Sequence, residues 1–393
     1  MRPPSSIPHL DLQAEYAHVR DEITEALQRV FDSGQFVLGA EVEAFEAEFA
    51  DACDTRHAVG CASGSDALLL ALMALDLAPG DQVVCPSYTF FATASAITRL
   101  GATPVFADID PQSFNLDPEQ ARKAAARCSK LRAFLPVDLF GQMADMDAFE
   151  ALGNEMGVPV VADAAQSIGA SDANGRRAGS RGRLACFSLY PTKNLGALGD
   201  AGAITTDDEA LAQRLRSLRI HGAPTAYLHE EIGINSRLDA LQAAVLRVKL
   251  RRLDGWNETR RRLAARYDAN FAAAGARPGA HGAALEDQSL PLGTPNLEPP
   301  GSRSVYHQYT IRVPASRRDG LQRALASEGI GTRVYYPIGL HQQRCFAFLG
   351  QDTGELPHTE AAARESLCLP IHSTLSESQA DRVVERTDTL LRG

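Results

Sequence analysis

Short runs of β-forming residues alternate with helical patterns through the first half of this chain, and that alternation restricts the possible folds more than any other feature. Residues 57–61 are followed by the apolar helical stretch 67–77, 83–85 by 92–100, 104–107 by 118–126, 133–137 by 146–156, and a further apolar run occupies 158–162. Strand and helix in regular succession predict an α/β fold with a mainly parallel sheet covered by helices. Residues 185–189 and 202–205 read as further strands. In open sheets of this kind ligands bind outside the carboxyl ends of the strands, so the residues just after each run are the candidates for function.

Before the alternation, Leu12, Tyr16, Val19, Ile23, Leu27 and Val30 recur every three or four residues and predict one opening helix ended by Ser33-Gly34. After it, a helical pattern runs from Asp239 to about Asn270, with Leu241, Val245, Leu246, Leu250, Leu253 and Trp256 as buried positions. Residues 275–301, rich in Gly, Ala and Pro, read as an irregular excursion; 309–313 then resumes as a strand and 318–328 as a helix. A length of 393 residues exceeds what one hydrophobic core usually supports. Two lobes are expected, 1–250 as the large one with the opening helix and 251–393 as a smaller α/β C-terminal domain.

Composition removes several classes. A net charge of -10 repels a phosphate backbone, so nucleic acid is not an expected partner, and the basic stretch Arg247-Val-Lys-Leu-Arg-Arg252 reads as the solvated face of a helix. The first residues lack a secretory apolar core and no apolar run is long enough to cross a bilayer, which places the expected protein in the cytoplasm without a membrane partner. Seven cysteines with no C-x-x-C pair fit neither a disulfide framework nor a zinc ribbon, and no metal is expected. The sequon Asn257-Glu-Thr259 reads as accidental in a cytosolic helix.

Three segments carry chemistry. Ser63-Gly-Ser-Asp-Ala67 stands between a strand and an apolar helix, where the amides of Gly64, Ser65 and Asp66 and the Ser65 hydroxyl could hold an anion; the same pattern is also a plain helix cap. Asp163 ends the apolar run 158–162, where a buried acid needs a cation, although a capping role fits equally well. Lys193 follows Ser188-Leu-Tyr-Pro-Thr in a loop of small residues, and a desolvated lysine there could form a Schiff base, a solvated surface lysine being the plain alternative. No dinucleotide or nucleoside-triphosphate fingerprint occurs, which leaves an NAD-dependent sugar-modifying enzyme the weaker rival. Together the three segments offer the phosphate, pyridinium and aldehyde partners that pyridoxal 5'-phosphate (PLP) requires.

The runs Ser63-Gly-Ser-Asp-Ala-Leu68, Pro86-Ser-Tyr-Thr-Phe90, Gly101-Ala-Thr-Pro-Val-Phe106, Asp163-Ala-Ala-Gln166, Tyr190-Pro-Thr-Lys-Asn-Leu-Gly196, Gly199-Asp-Ala-Gly202 and Asn235-Ser-Arg-Leu-Asp239 resemble the DegT/DnrJ/EryC/StrS aminotransferases over nearly the whole chain. The resemblance implies the fold-type I PLP aminotransferase architecture, a homodimer with composite active sites, a nucleotide-sugar substrate and glutamate as amino donor. It implies Lys193 as the Schiff-base lysine and Asp163 as partner of the pyridinium nitrogen. Gln166 would face the cofactor's phenolic oxygen and Phe90 would stack on its ring, ordinary core packing being the alternative for Phe90. Ser188, Ser65 and the Asp66 amide would take the phosphate, with Asn235 of a neighbouring subunit. Arg237, Tyr335 and Tyr336 match substrate positions, and His341 either lines the pocket or is structural. The segment Val334-Tyr-Tyr-Pro337 departs from the family's common His-Tyr-Pro, with Tyr335 in place of the histidine. The motifs look closer to enzymes aminating C3 of a dTDP- or UDP-linked keto sugar than to those acting at C4. A PLP-dependent sugar dehydratase and a PLP-holding regulator are the remaining readings.

Overall fold

The computed structural model describes residues 6–223, 225, 227–296, 300–351 and 353–393. Seven strands build the first sheet: β1 (His57–Cys61), β2 (Gln82–Pro86), β3 (Thr103–Ala107), β4 (Leu131–Phe134), β5 (Val161–Asp163), β6 (Leu184–Ser188) and β7 (Gly202–Thr206). A three-stranded array, β3-β2-β4, meets a four-stranded array, β5-β6-β7-β1, through parallel bridges from Phe134 to Val160 and from Val137 to Asp163. The result is one continuous sheet in the order 3-2-4-5-6-7-1, parallel throughout except for β7, which runs antiparallel to both β6 and β1.

The strands are apolar because both faces are covered. One face packs Phe45, Phe49, Phe134, Phe149 and Phe187; the other packs Leu68, Leu70, Leu72, Val83, Ile97 and Ile204. Strands buried on both sides lose the alternation of a half-exposed sheet and appear as unbroken hydrophobic runs.

The predicted single opening helix is two pieces, Leu12–Ala17 and Arg20–Ser33, separated where Val19 leaves helical geometry. Both meet the helix over Ala240–Leu250, by different chemistry. The second buries Ile23, Ala26 and Val30 against Ala240, Ala244, Val245 and Val248, whereas the first turns Glu15 inward to Lys249 at 2.9 Å. The long C-terminal pattern likewise divides, into Ala240–Leu250 and Leu253–Ala274. The basic run at this junction is solvated only at Arg251 and Arg252: Arg247 pairs with Glu41 and Glu48, and buried Lys249 also donates to the Gly196 carbonyl at 2.7 Å. Removing one member of such a buried pair typically costs about 3–5 kcal/mol, because it strands the other charge.

A second sheet of β8 (Arg277–Pro278), β9 (Gly293–Thr294), β10 (Tyr309–Arg312) and β11 (Ser366–Leu369) follows, in the order 11-10-9-8. Its core contains Tyr267, Phe271, Tyr309, Ile311, Leu325 and Val383. Ile7 belongs to this core too, bonded to Gly329 and Gly331, so the first described residues pack against the C-terminal part of the chain. Residues 297–299 of the excursion lie outside the described residues; the rest contains β8, β9 and one 3-10 turn. All seven cysteines are free, and Asn257 of the sequon is buried. Among the described residues no helix is long and apolar enough to cross a membrane.

Candidate active site

A cavity of about 1060 Å³ opens at the carboxyl ends of β5 and β6, with segment 331–338 as its opposite wall. Asp163 is the last residue of β5, so the parallel register with β6 carries its carboxylate to the sheet edge beside the start of the Lys193 loop. That carboxylate is buried and held by two donors, the Thr93 hydroxyl on Oδ2 at 2.8 Å and the Ala165 amide on Oδ1 at 3.3 Å. Burial raises its proton affinity, and Thr93, Ala165 and the charge of Lys193 work in the opposite direction.

Lys193 lines the same cavity. Burial lowers its pKa from the ordinary 10.5 to about 8, only partly offset by Asp163. Since desolvation penalises the ammonium form, the neutral amine is available at far lower pH than on an exposed lysine. In the apoprotein, acylation of Lys193 by an amine-selective reagent is therefore expected to rise with pH around a midpoint near 8. Peptide mapping of the label between pH 6 and 11 checks this, and a midpoint at the exposed-lysine value contradicts it.

The third element is the start of helix Gly64–Ala74. The Ser63 hydroxyl caps it by accepting from the Asp66 amide at 3.1 Å, which commits that amide to the cap, while Gly64 and Ser65 line the cavity. The Asp66 carboxylate is bound by the Ser236 hydroxyl at 2.8 Å. Approach is close: a β-carbon on Gly64 would lie 2.5 Å from that of Ser188, and one on Gly202 would lie 2.3 Å from the Ser63 carbonyl oxygen. These glycines let the helix start reach the ends of β6 and β7, so the Ser65 and Ser188 side chains share one corner of the cavity.

Gln166 accepts from the Phe140 amide at 2.7 Å and donates to the Tyr336 hydroxyl at 3.4 Å, which turns its amide toward the cavity. Phe90 is 57% exposed and packs at the cavity edge 6.3 Å from Tyr336, so it is not a core residue. Tyr335 and Tyr336 line the wall. Asn235 and Arg237 are exposed and do not line this chain's cavity. His341 is also absent from the wall: its buried ring is engaged by Ser87 at 2.7 Å and by Glu360 at 3.4 Å, which gives it a structural place rather than a substrate-facing one.

Three contributors escaped the sequence reading. Thr93 had no motif to mark it. Arg333 lines the cavity from a segment read only for its tyrosines. His307 lies in the run before β10 and lines the cavity with Lys193. Its Nδ1 meets Asn194 Oδ1 at 3.1 Å, while Asn194 Nδ2 donates to Asn257 Oδ1 and to the Val305 carbonyl, and Asn257 Nδ2 donates to the Ile168 carbonyl. Two backbone carbonyls thus orient both amides and assign the imidazole proton to Nδ1. Burial, followed by the charge of Lys193, holds His307 far below its ordinary pKa, so it stays neutral.

The residues fit PLP: a desolvated amine, a buried strand-end carboxylate, and a helix start with hydroxyls in one corner of a cavity large enough for cofactor and substrate. With this sheet order, they define a PLP-dependent aminotransferase of the fold-type I architecture. The chain belongs to the DegT/DnrJ/EryC1/StrS aminotransferase family, which matches residues 17–388. It is 45% identical over 97% of both chains to a pleiotropic regulatory protein of Geobacillus stearothermophilus. It is also 45% identical to the dTDP-3-amino-3,4,6-trideoxy-alpha-D-glucose transaminase of Streptomyces venezuelae, covering 96% of this chain and 94% of that one. The crystal structure of S. venezuelae DesV in complex with a ketimine intermediate superposes with a TM-score of 0.91 at 43% identity and covers 99% of both chains.

Proposed function

We propose that this enzyme moves the amino group of glutamate to the carbonyl of a nucleoside-diphosphate-linked 3-keto sugar, dTDP- or UDP-linked, in amino-sugar or polysaccharide biosynthesis. The observation that carries the reading is the meeting of Lys193, Asp163 and the capped helix start in one cavity at adjacent strand ends. The named activity of the S. venezuelae relative supports the class of sugar and the position on it. We place the work in the cytoplasm, in a homodimer whose two lobes are 1–250 and 251–393. Exposed Asn235 and Arg237, which do not line their own chain's cavity, are assigned to a partner's phosphate and substrate.

Bound PLP supplies a ring into which electron density can drain when a proton leaves the amine-bearing carbon. The protein supplies the rest. Asp163, positioned by the Thr93 hydroxyl and the Ala165 amide, would face the ring nitrogen and favour its protonated form. Lys193, whose amine keeps a far larger neutral fraction near physiological pH than an exposed lysine, would take and return the proton at the reacting carbon. The Gly64 and Ser65 amides with the Ser65 and Ser188 hydroxyls would hold the phosphate, with Phe90 against the ring and Gln166 toward the phenolic oxygen. Tyr335 and Tyr336 line the space left for the sugar.

Incubation with glutamate and a panel of dTDP- and UDP-linked 3-keto and 4-keto sugars tests this, with products identified by mass spectrometry and NMR. The expected result is a 3-amino sugar formed one-for-one with 2-oxoglutarate. Loss of a hydroxyl without amine gain would indicate a dehydratase, and cofactor binding with no turnover of any sugar would indicate a regulator of the kind the G. stearothermophilus name suggests.

A further inference from the structure

Pro8, His9 and Leu10 line the cavity beside Gly331, Arg333 and Tyr335, forming a corner that the assigned cofactor residues do not use. It is firmly built. The Ile7 amide donates to the Gly329 carbonyl and the Gly331 amide to the Ile7 carbonyl, each at 2.8 Å, and Arg333 pairs through both backbone groups with Cys368 of β11. A β-carbon on Gly331 would lie 2.7 Å from the His9 nitrogen, so only glycine lets the N-terminal strap seat this closely.

The Arg333 side chain is exposed at the cavity mouth, its Nη1 donates to the Thr332 carbonyl at 3.0 Å, and among the described residues no carboxylate lies within ion-pair distance. His9 does not compete as a cation: burial, followed by the charge of Arg333, lowers its pKa to about 4. Lys193 is committed to the cofactor. Arg333 is thus the guanidinium on this wall with donors to spare, and its planar fork suits a carboxylate.

We infer that Arg333 receives the distal carboxylate of a dicarboxylic amino donor, in a subsite framed by His9 and Tyr335. Position selects the distal group. The donor's amine-bearing carbon must reach buried Lys193, and its α-carboxylate, one bond from that carbon, stays close to it. A cation at the exposed mouth meets the other end of the molecule. The inference rests on the aminotransferase reading above and extends it to the choice of donor.

The test follows the donor half-reaction by the spectrum of the bound cofactor, without sugar, comparing glutamate with glutamine, which has the same shape but no charge at its far end. Arg333→Gln is expected to lower kcat/KM for glutamate roughly ten- to a hundredfold, the scale of a hydrogen-bonded charge pair, with glutamine unchanged and Arg333→Lys partly restoring glutamate. An equal loss for both donors, an unchanged glutamate rate, or an effect confined to the KM of the sugar overturns the inference. A wild-type enzyme that aminates no keto sugar yet loses its glutamate preference in Arg333→Gln would sink the proposed function and leave this subsite standing.

Discussion

Lys193→Ala is expected to reduce turnover by a factor of at least about 10⁴, since both the covalent anchor and the proton-transferring base disappear with one amine. The variant should still fold, because the side chain faces a cavity rather than the core, and it should still bind PLP through the helix start and Asp163. What it should lose is the visible absorbance of a covalently held cofactor. Borohydride treatment followed by peptide mapping should label residues 190–196 in the wild type and nothing in the variant. A label on another lysine, or full activity in the variant, would remove the basis of the proposed function.

Asp163→Asn is the second large effect, a fall in kcat of roughly a hundred- to a thousandfold, the scale for losing one preorganised electrostatic partner in a water-poor site. The shape changes little: the Thr93 hydroxyl can turn to accept from the new amide, and the Ala165 amide keeps its oxygen acceptor. The charge that holds a proton on the facing ring nitrogen is gone. Measurement of kcat and KM separates the effects. If kcat is unchanged and only cofactor affinity drops, Asp163 is a binding group rather than a catalytic one.

Much of this arrangement was legible because it depends on local sequence. Seven apolar runs became seven strands, since strands covered on both faces are written as continuous hydrophobic segments. Lys193, Asp163 and Ser65 could be picked out because each ends or follows a strand, where a sheet of this kind presents its residues to ligands. The breaks at Val19 and at Arg251–Arg252 were invisible, as the apolar spacing continues across both: Tyr16 packs on the same core as Ile23, and Trp256 on the same core as Val245. The reversal of β7 had no mark in its own residues; it follows from pairing with β1, some 140 residues earlier, in a register that sets Gly202 against Cys61. Lys249 read as solvent-facing because its acid, Glu15, lies far away in the chain. Arg333, Thr93 and His307 share that difficulty: each has meaning only once distant segments meet.

The contact from Lys249 to Gly196 has a practical result for anyone altering this enzyme. Glu15 steadies the ammonium whose other hydrogen bond ends on the backbone three residues past Lys193, so a change in the opening helix is felt by the reacting amine without any atom of the cavity wall being touched. Directed-evolution screens should therefore recover activity-changing substitutions around residue 15, remote from both donor and sugar, and their benefit or harm should vanish when position 249 is made neutral.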